Sequence, residues 1–369
     1  MPEELIAALV SIDSVNPELV PGGAGEAELA AFVAGWLREA GLEVTVDEAA
    51  PERPSVVAVA RGRGGGASLM LNAHLDTVGV EGMAAPFDPE IRDGRLYGRG
   101  AYDMKASLAA CMLAAARLSA DALAGDVVLT AVADEEHASV GTRSVLRRWG
   151  ADAAIVTEPT GLRVCVAHKG FVWAEIEAAG RAAHGSRPSE GIDAITRMAP
   201  VLARLAELQA SLDARPPHPL VGAPSVHASQ IEGGQELSSY PARCRLALER
   251  RTVPGETVDD VRREAEALID GIEGVELSVG LAREPFAADR EAAVVDAIAR
   301  GVEAVTGLPA EVYGDTPWMD AALTQAAGIP TVVFGPAGAG AHAAEEWVDL
   351  ASVEACTEAL VACARELCA

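Results

Sequence analysis

Two histidines and a scatter of acidic residues, each close behind an apolar stretch, are the places where this sequence can do chemistry. The first is His74-Leu75-Asp76. A neutral imidazole is a good zinc ligand, and a metal-bound histidine usually gives its other ring N–H to a carboxylate. Asp76 is spaced to do that, or to orient a catalytic group. Next comes Gly98-Arg99-Gly100-Ala101-Tyr102-Asp103-Met104-Lys105, a tight turn leading into a helix, with Asp103 where the helix begins. Such a residue reads as an N-cap, worth about 1 kcal/mol, and the same carboxylate can also face a metal. Asp134-Glu135-Glu136 closes an apolar run. Three acids there commonly form a solvated loop, but adjacent carboxylates can also divide labour. Amide hydrolysis needs a metal to lower the pKa of water and a carboxylate to take its proton. Glu158 follows another apolar run, and Pro159 after it enforces an extended or turn geometry. His342 ends a Gly/Ala-rich segment that starts at Gly335. His137, His218 and His227 read as ordinary surface or loop residues.

The elements that must bring these groups together alternate in type. Leu29, Phe32, Val33, Trp36 and Leu37 recur at helical spacing, and Gly41 stops the run. Strands are expected at 56–59, 68–71, 126–133 and 153–156, and a helix at 104–118. Strand–helix alternation argues for an α/β layered domain, in which functional groups gather beyond the strand carboxyl ends. His74, Asp134 to Glu136 and Glu158 all fall there.

From residue 171 the texture changes. An exposed, alternating antiparallel strand is expected at 172–177, then a helix at 192–212 and a Pro-rich loop at 215–219. Strands at 225–231 and 244–249, a helix at 258–269 and a strand at 275–279 follow. The order β-α-β-β-α-β is the ferredoxin-like signature. The α/β pattern resumes with a helix at 292–306, a strand at 331–334 and a final helix from 350. The expected organisation is a discontinuous larger domain, 1–170 and 283–369, carrying an inserted domain, 171–282.

The chain has 29 basic and 55 acidic residues, a net charge of −26, and no basic stripe, which disfavours nucleic acid and anionic membrane surfaces as partners. The longest apolar stretch, 108–116, is too short to cross a bilayer core of about 30 Å. The N-terminus lacks the features of a secretory signal, so a cytoplasmic location is expected. The six cysteines show no metal-site spacing and read as buried thiols.

Taken together, the order HxD, GRGxxDMK, DEE, TEP and a Gly-rich segment ending in His342 resembles one metallopeptidase and deacylase family. That family contains acetylornithine deacetylase, succinyl-diaminopimelate desuccinylase, aminoacylase and glutamate carboxypeptidase, and the resemblance spans nearly the whole chain. It implies an α/β/α layered catalytic domain with a mixed sheet, plus an α+β ferredoxin-like lid or dimerisation domain. By the same resemblance Asp103 bridges two divalent ions, His74 and Glu158 complete one site, and Glu136 and His342 complete the other. Zinc suits such a ligand set, with cobalt or manganese able to substitute. Glu135 is then the general base, and Asp76 orients His74.

In the inserted domain, Gly180-Arg181-Ala182-Ala183-His184-Gly185-Ser186 resembles the family segment whose histidine stabilises the oxyanion, usually from the partner subunit. Leu248 to Gly255 resembles the segment that brings an arginine to the substrate carboxylate, which points to Arg251 and leaves Arg250 as a solvated strand residue. Ser238 stands where the family commonly has asparagine, which puts one substrate hydrogen bond in question. Ala106 stands where it usually has glycine. His184 and the exposed alternating strand at 172–177 lead to the expectation of a homodimer joined through the inserted domain. The leading activity is deacylation of an N-acyl amino acid; a short peptide cut by a di- or carboxypeptidase is the alternative. A non-catalytic metal-loaded binding protein would not need Glu135 beside a ligand.

Overall fold

Strands Leu69–His74, Val127–Val132 and Ala153–Val156 are buried at every residue. Such runs belong in a parallel sheet covered on both faces, and the computed structural model, which describes residues 2–121 and 123–369, places them there. Leu69–His74 lies between the other two, parallel to both. Thr331–Val333 continues the parallel set beside Ala153–Val156. Arg53–Ala60 and then Glu43–Ala50 add antiparallel strands at one side, and Val164–His168 pairs antiparallel at the other. The sheet is therefore mixed, as expected. Leu69–His74 runs on through Asn72, so His74 is the last residue of its strand rather than the first beyond it.

The chain divides into two compact units. The first takes residues 1–166, 288–313 and 319–369, and the second takes 167–287 and 314–318. The short segment at 314–318 carried no pattern that separated it from the larger domain. In the first unit the helix Ala106–Leu118 is apolar nearly all round and packs with the helix Leu350–Leu367 and against the sheet. A small four-stranded sheet, Gly338–Ala339, Trp347–Asp349, Arg95–Tyr97 and Glu90–Arg92 in spatial order, was not legible beforehand, because its strands have two or three residues each.

The second unit has the β-α-β-β-α-β order with an antiparallel sheet, Ser225–Gly233, Arg243–Thr252, Gly170–Ala179, Val275–Arg283. Helices Ala194–Asp213 and Val258–Ile269 supply the rest of its core, around Ile176, Met198, Val201, Leu246 and Leu268. The alternation of 172–177 puts Val172, Ala174 and Ile176 inside and Trp173 outside. This strand lies in the middle of the sheet with a partner on each side. One face of it meets solvent, but its edges do not; the edge strands are Ser225–Gly233 and Val275–Arg283. Alternation reports which face is covered and says nothing of a strand's place in the order.

All six cysteines are buried, and none forms a disulfide. Among the described residues no helix is long and apolar enough to cross a membrane.

Candidate metal centre

The first unit gathers five of the expected side chains into two overlapping groups, His74 with Asp103 and Glu158, and Asp103 with Glu136 and His342. Within each group the ligand atoms lie within 4.8 Å of one another. Asp103 belongs to both, and its two oxygens are divided between them. Oδ1 lies 3.1 Å from His74 Nε2, and Oδ2 lies 3.5 Å from His342 Nε2. His74 Nε2 is also 3.7 Å from Glu158 Oε1, and His342 Nε2 is 3.2 Å from Glu136 Oε2. His74 Nδ1 donates to the Asp76 carbonyl at 2.9 Å, which turns Nε2 toward the carboxylates, where it would offer its lone pair to an ion once its own proton has left.

Two expectations change here. Asp103 is not the N-cap of the following helix: that helix starts at Ala106, and Lys105 occupies the cap position. The turn at 100–105 thereby leaves the carboxylate pointing to the histidines instead of to helical N–H groups. Asp76 contacts the His74 ring through its main-chain carbonyl, while its carboxylate stays 3.7 Å from Nδ1. That carboxylate accepts hydrogen bonds from the main-chain N–H groups of Glu135 at 3.0 Å and Glu136 at 3.1 Å. It fixes the backbone of the segment that carries both an expected base and an expected ligand.

The acidic triplet is not a solvated loop either. Asp134 is buried, adopts a left-handed φ of 68°, and accepts from Arg53 Nη2 at 2.9 Å and Asn16 Nδ2 at 3.0 Å. Asn16 Nδ2 also donates to Asp76 at 2.8 Å, and Glu26 binds Arg53 through both carboxylate oxygens. Buried charges are tolerable when paired and hydrogen-bonded in this way. Sequence reading missed Asn16, Glu26 and Arg53. Each is a single polar residue in an unremarked stretch, and its partners are 27 to 118 positions away.

The group is electrostatically crowded. Burial, then the nearby carboxylates of Glu158 and Asp320, push Glu135 well above the usual carboxyl range. Burial also raises Glu158. Burial opposes a charged His74, but Glu158, Asp103 and Asp76 outweigh it and hold the ring well above the ordinary histidine value. Hydrogen bonds donated to Asp103 and Glu136 raise His342 to about 10.

These residues fit divalent ions. The donors are imidazole nitrogen and carboxylate oxygen, and Glu136 Oε1 is buried with no hydrogen-bond partner among the described residues. A bare buried acceptor costs about 1–3 kcal/mol, which a cation would relieve. Since His342, raised to about 10, holds a proton at neutral pH, an ion must displace it. Metal binding is therefore expected to release protons, and apparent affinity is expected to climb as pH rises from neutrality toward about 10. Calorimetric titration of metal-free protein in two buffers of different ionisation enthalpy checks this; an enthalpy independent of buffer would contradict it.

The profile of peptidase family M20/M25/M40 matches residues 70–366. The chain belongs to this family. As an M20 family protein it is a hydrolase. The acetylornithine deacetylase of Salmonella arizonae is 30% identical over 265 residues, covering 70% of this chain and 69% of that protein. An M20 family metallo-carboxypeptidase from Sulfolobus solfataricus has the same fold, with a TM-score of 0.82, 18% identity, and coverage of 99% of this chain and 98% of that one. A dinuclear metal binding peptidase of the M20 family from Bacillus subtilis follows at 0.74 and 18%, covering 100% and 97%.

The remaining expected residues are in the second unit. His184 is exposed, and its Nδ1 accepts from the Ser186 main-chain N–H at 3.2 Å. A neutral ring then carries its proton on Nε2, available as a donor. Ser238 lies beside this turn, its carbonyl accepting from Gly185 N–H at 2.6 Å. Arg250, expected to be solvated, is 1% exposed and pairs with Glu256 at 2.6 Å and Glu264 at 2.9 Å. Arg251 is the half-exposed one, paired with Glu249 at 2.9 Å and resting over Phe171.

Proposed function

We propose that this chain hydrolyses the amide bond of an N-acyl amino acid, using two divalent ions, zinc in the first instance. The observation that carries the reading is the division of Asp103 Oδ1 and Oδ2 between His74 and His342. A carboxylate so placed suits two cations at once. His74 and Glu158 would complete one ligand set, and Glu136 and His342 the other. When bound, such ions acidify water and polarise a carbonyl oxygen.

Glu135 belongs to neither ligand set and is the general base. It takes a proton from the attacking water and returns it to the nitrogen of the departing amine. The Asp76 carboxylate, by holding the Glu135 and Glu136 main-chain N–H groups, keeps the base fixed beside a ligand. His184 and Arg251 keep the roles that the family resemblance gives them, a donor to the oxyanion, usually from the partner subunit, and a contact for the substrate carboxylate.

The deacetylase relative favours an acyl substrate over a peptide. Zinc- and cobalt-loaded protein assayed with acetylated and succinylated amino acids and with dipeptides tests this. Turnover of the acylated amino acids is expected. Cleavage of the dipeptides alone would move the assignment to a di- or carboxypeptidase, and inertness across the panel would end the catalytic reading. A homodimer is part of the same proposal, now resting on the edge strand Ser225–Gly233, whose Ile231 is exposed, and on exposed Ile195 and Leu202 of the neighbouring helix. A monomer in sedimentation would remove it.

A further inference from the structure

His342 is unlike the other candidate ligands. Its side chain is 56% exposed, against 16% for Asp103 and 7% for Glu136, and its backbone sits at a left-handed φ of 61°. Packing does not hold this loop, so something else must fix it at ligand distance.

Glu346 and Arg99 do so. The buried Glu346 carboxylate is a hub for the turn that carries Asp103. Its Oε1 accepts from the main-chain N–H groups of Tyr102 and Asp103, both at 2.9 Å. Its Oε2 accepts from Gly100 N–H at 3.0 Å and from Arg99 Nη1 at 2.6 Å. Arg99 then reaches the other loop: its Nη2 donates at 2.9 Å to the carbonyl of Ala343, the residue after His342. Both side chains are buried, at 2% and 0% exposure, so charge-assisted bonds hold them in low dielectric. The small sheet brackets the contact, pairing Trp347 with Tyr97 and Val348 with Leu96.

We propose that Arg99 and Glu346 are positioning residues that clamp the Asp103 turn to the His342 loop and thereby set the affinity of the ion held by Asp103, Glu136 and His342. This rests on reading those three as one ligand set. Neither residue touches the ion; both act through main-chain atoms next to its ligands. Arg99→Lys is the mild test, because one ammonium cannot span Glu346 and the Ala343 carbonyl in the fork geometry of a guanidinium. Glu346→Gln is the severe one, since an amide turns N–H donors toward N–H donors.

Metal-free wild type and both variants are titrated with zinc by calorimetry, and with cobalt by absorption, after circular dichroism has shown which are folded. In Arg99→Lys one of the two ions is expected to lose about 10–100-fold in affinity, the usual effect of removing a partner that orients a ligand, while the other shifts by less than about 3-fold. A purely structural role would lower thermal stability without separating the two ions. Folded Arg99→Lys that binds both ions as wild type does, or that loses both equally, overturns the clamp alone. Wild type that takes up fewer than two ions overturns the ligand reading and the clamp with it.

Discussion

Glu135→Gln is expected to lower kcat by about 10²–10⁴-fold, the range over which a positioned general base contributes. Metal content and KM should change little, because the amide has the same shape and Glu135 is in neither ligand set. The fold should survive as well: the backbone at this position is held by Asp76 through its N–H, not through the side chain. The direction of the pH dependence follows from the environment. A base works only when deprotonated, so wild-type kcat/KM should fall as pH drops through the Glu135 pKa, which burial and the neighbouring acids raise and bound cations would lower. Steady-state kinetics with parallel elemental analysis checks both points. Undiminished turnover in a fully metallated Glu135→Gln enzyme would remove Glu135 from the mechanism.

Asp103→Ala should be harsher, and in a specific pattern. Asp103 is common to both ligand groups, whereas His342 and Glu136 serve one and His74 and Glu158 the other. Loss of Asp103 is therefore expected to take both ions below measurable occupancy at micromolar zinc, and activity with them, a larger effect than the about 10–100-fold expected for a supporting partner. His342→Ala should instead leave one ion in place. The turn itself should persist, since its main chain is tied to Glu346. Metal stoichiometry of the three proteins after dialysis, read by elemental analysis, is the measurement. Equal losses in Asp103→Ala and His342→Ala would mean that Asp103 does not serve two ions.

His74, Glu136 and Glu158 could be singled out because they lie at or just past the ends of buried strands, and buried strands write themselves into local composition. Leu69–His74, Val127–Val132 and Ala153–Val156 are apolar apart from Asn72, His74 and Thr130, and the acids and histidines that end those runs stand out. The α/β alternation and the β-α-β-β-α-β insertion were legible for the same reason: hydrophobic period is a property of neighbours in the chain. Ligand roles came from the joint order of five short motifs, none specific by itself.

Other features depend on residues far apart in the chain, and nothing local marks them. Arg250 and Arg251 are adjacent and chemically identical, yet one is locked between Glu256 and Glu264 and the other half-exposed; strand register decides which. Asp76 was expected to orient His74, and only the folded chain turns its carboxylate to the Glu135 and Glu136 backbone. Asn16, Glu26 and Arg53 enter the network from outside every motif.

Residue order alone thus carried the kinds of donor atom, the strands that deliver them and the fold class, because burial and period are short-range signals. Tertiary contact alone decided how the oxygens of Asp103 are shared, which acids are buried in pairs, and what holds the His342 loop. Those depend on where distant backbones cross, and a hydrogen bond of 2.9 Å between residues 244 positions apart leaves no trace in either neighbourhood.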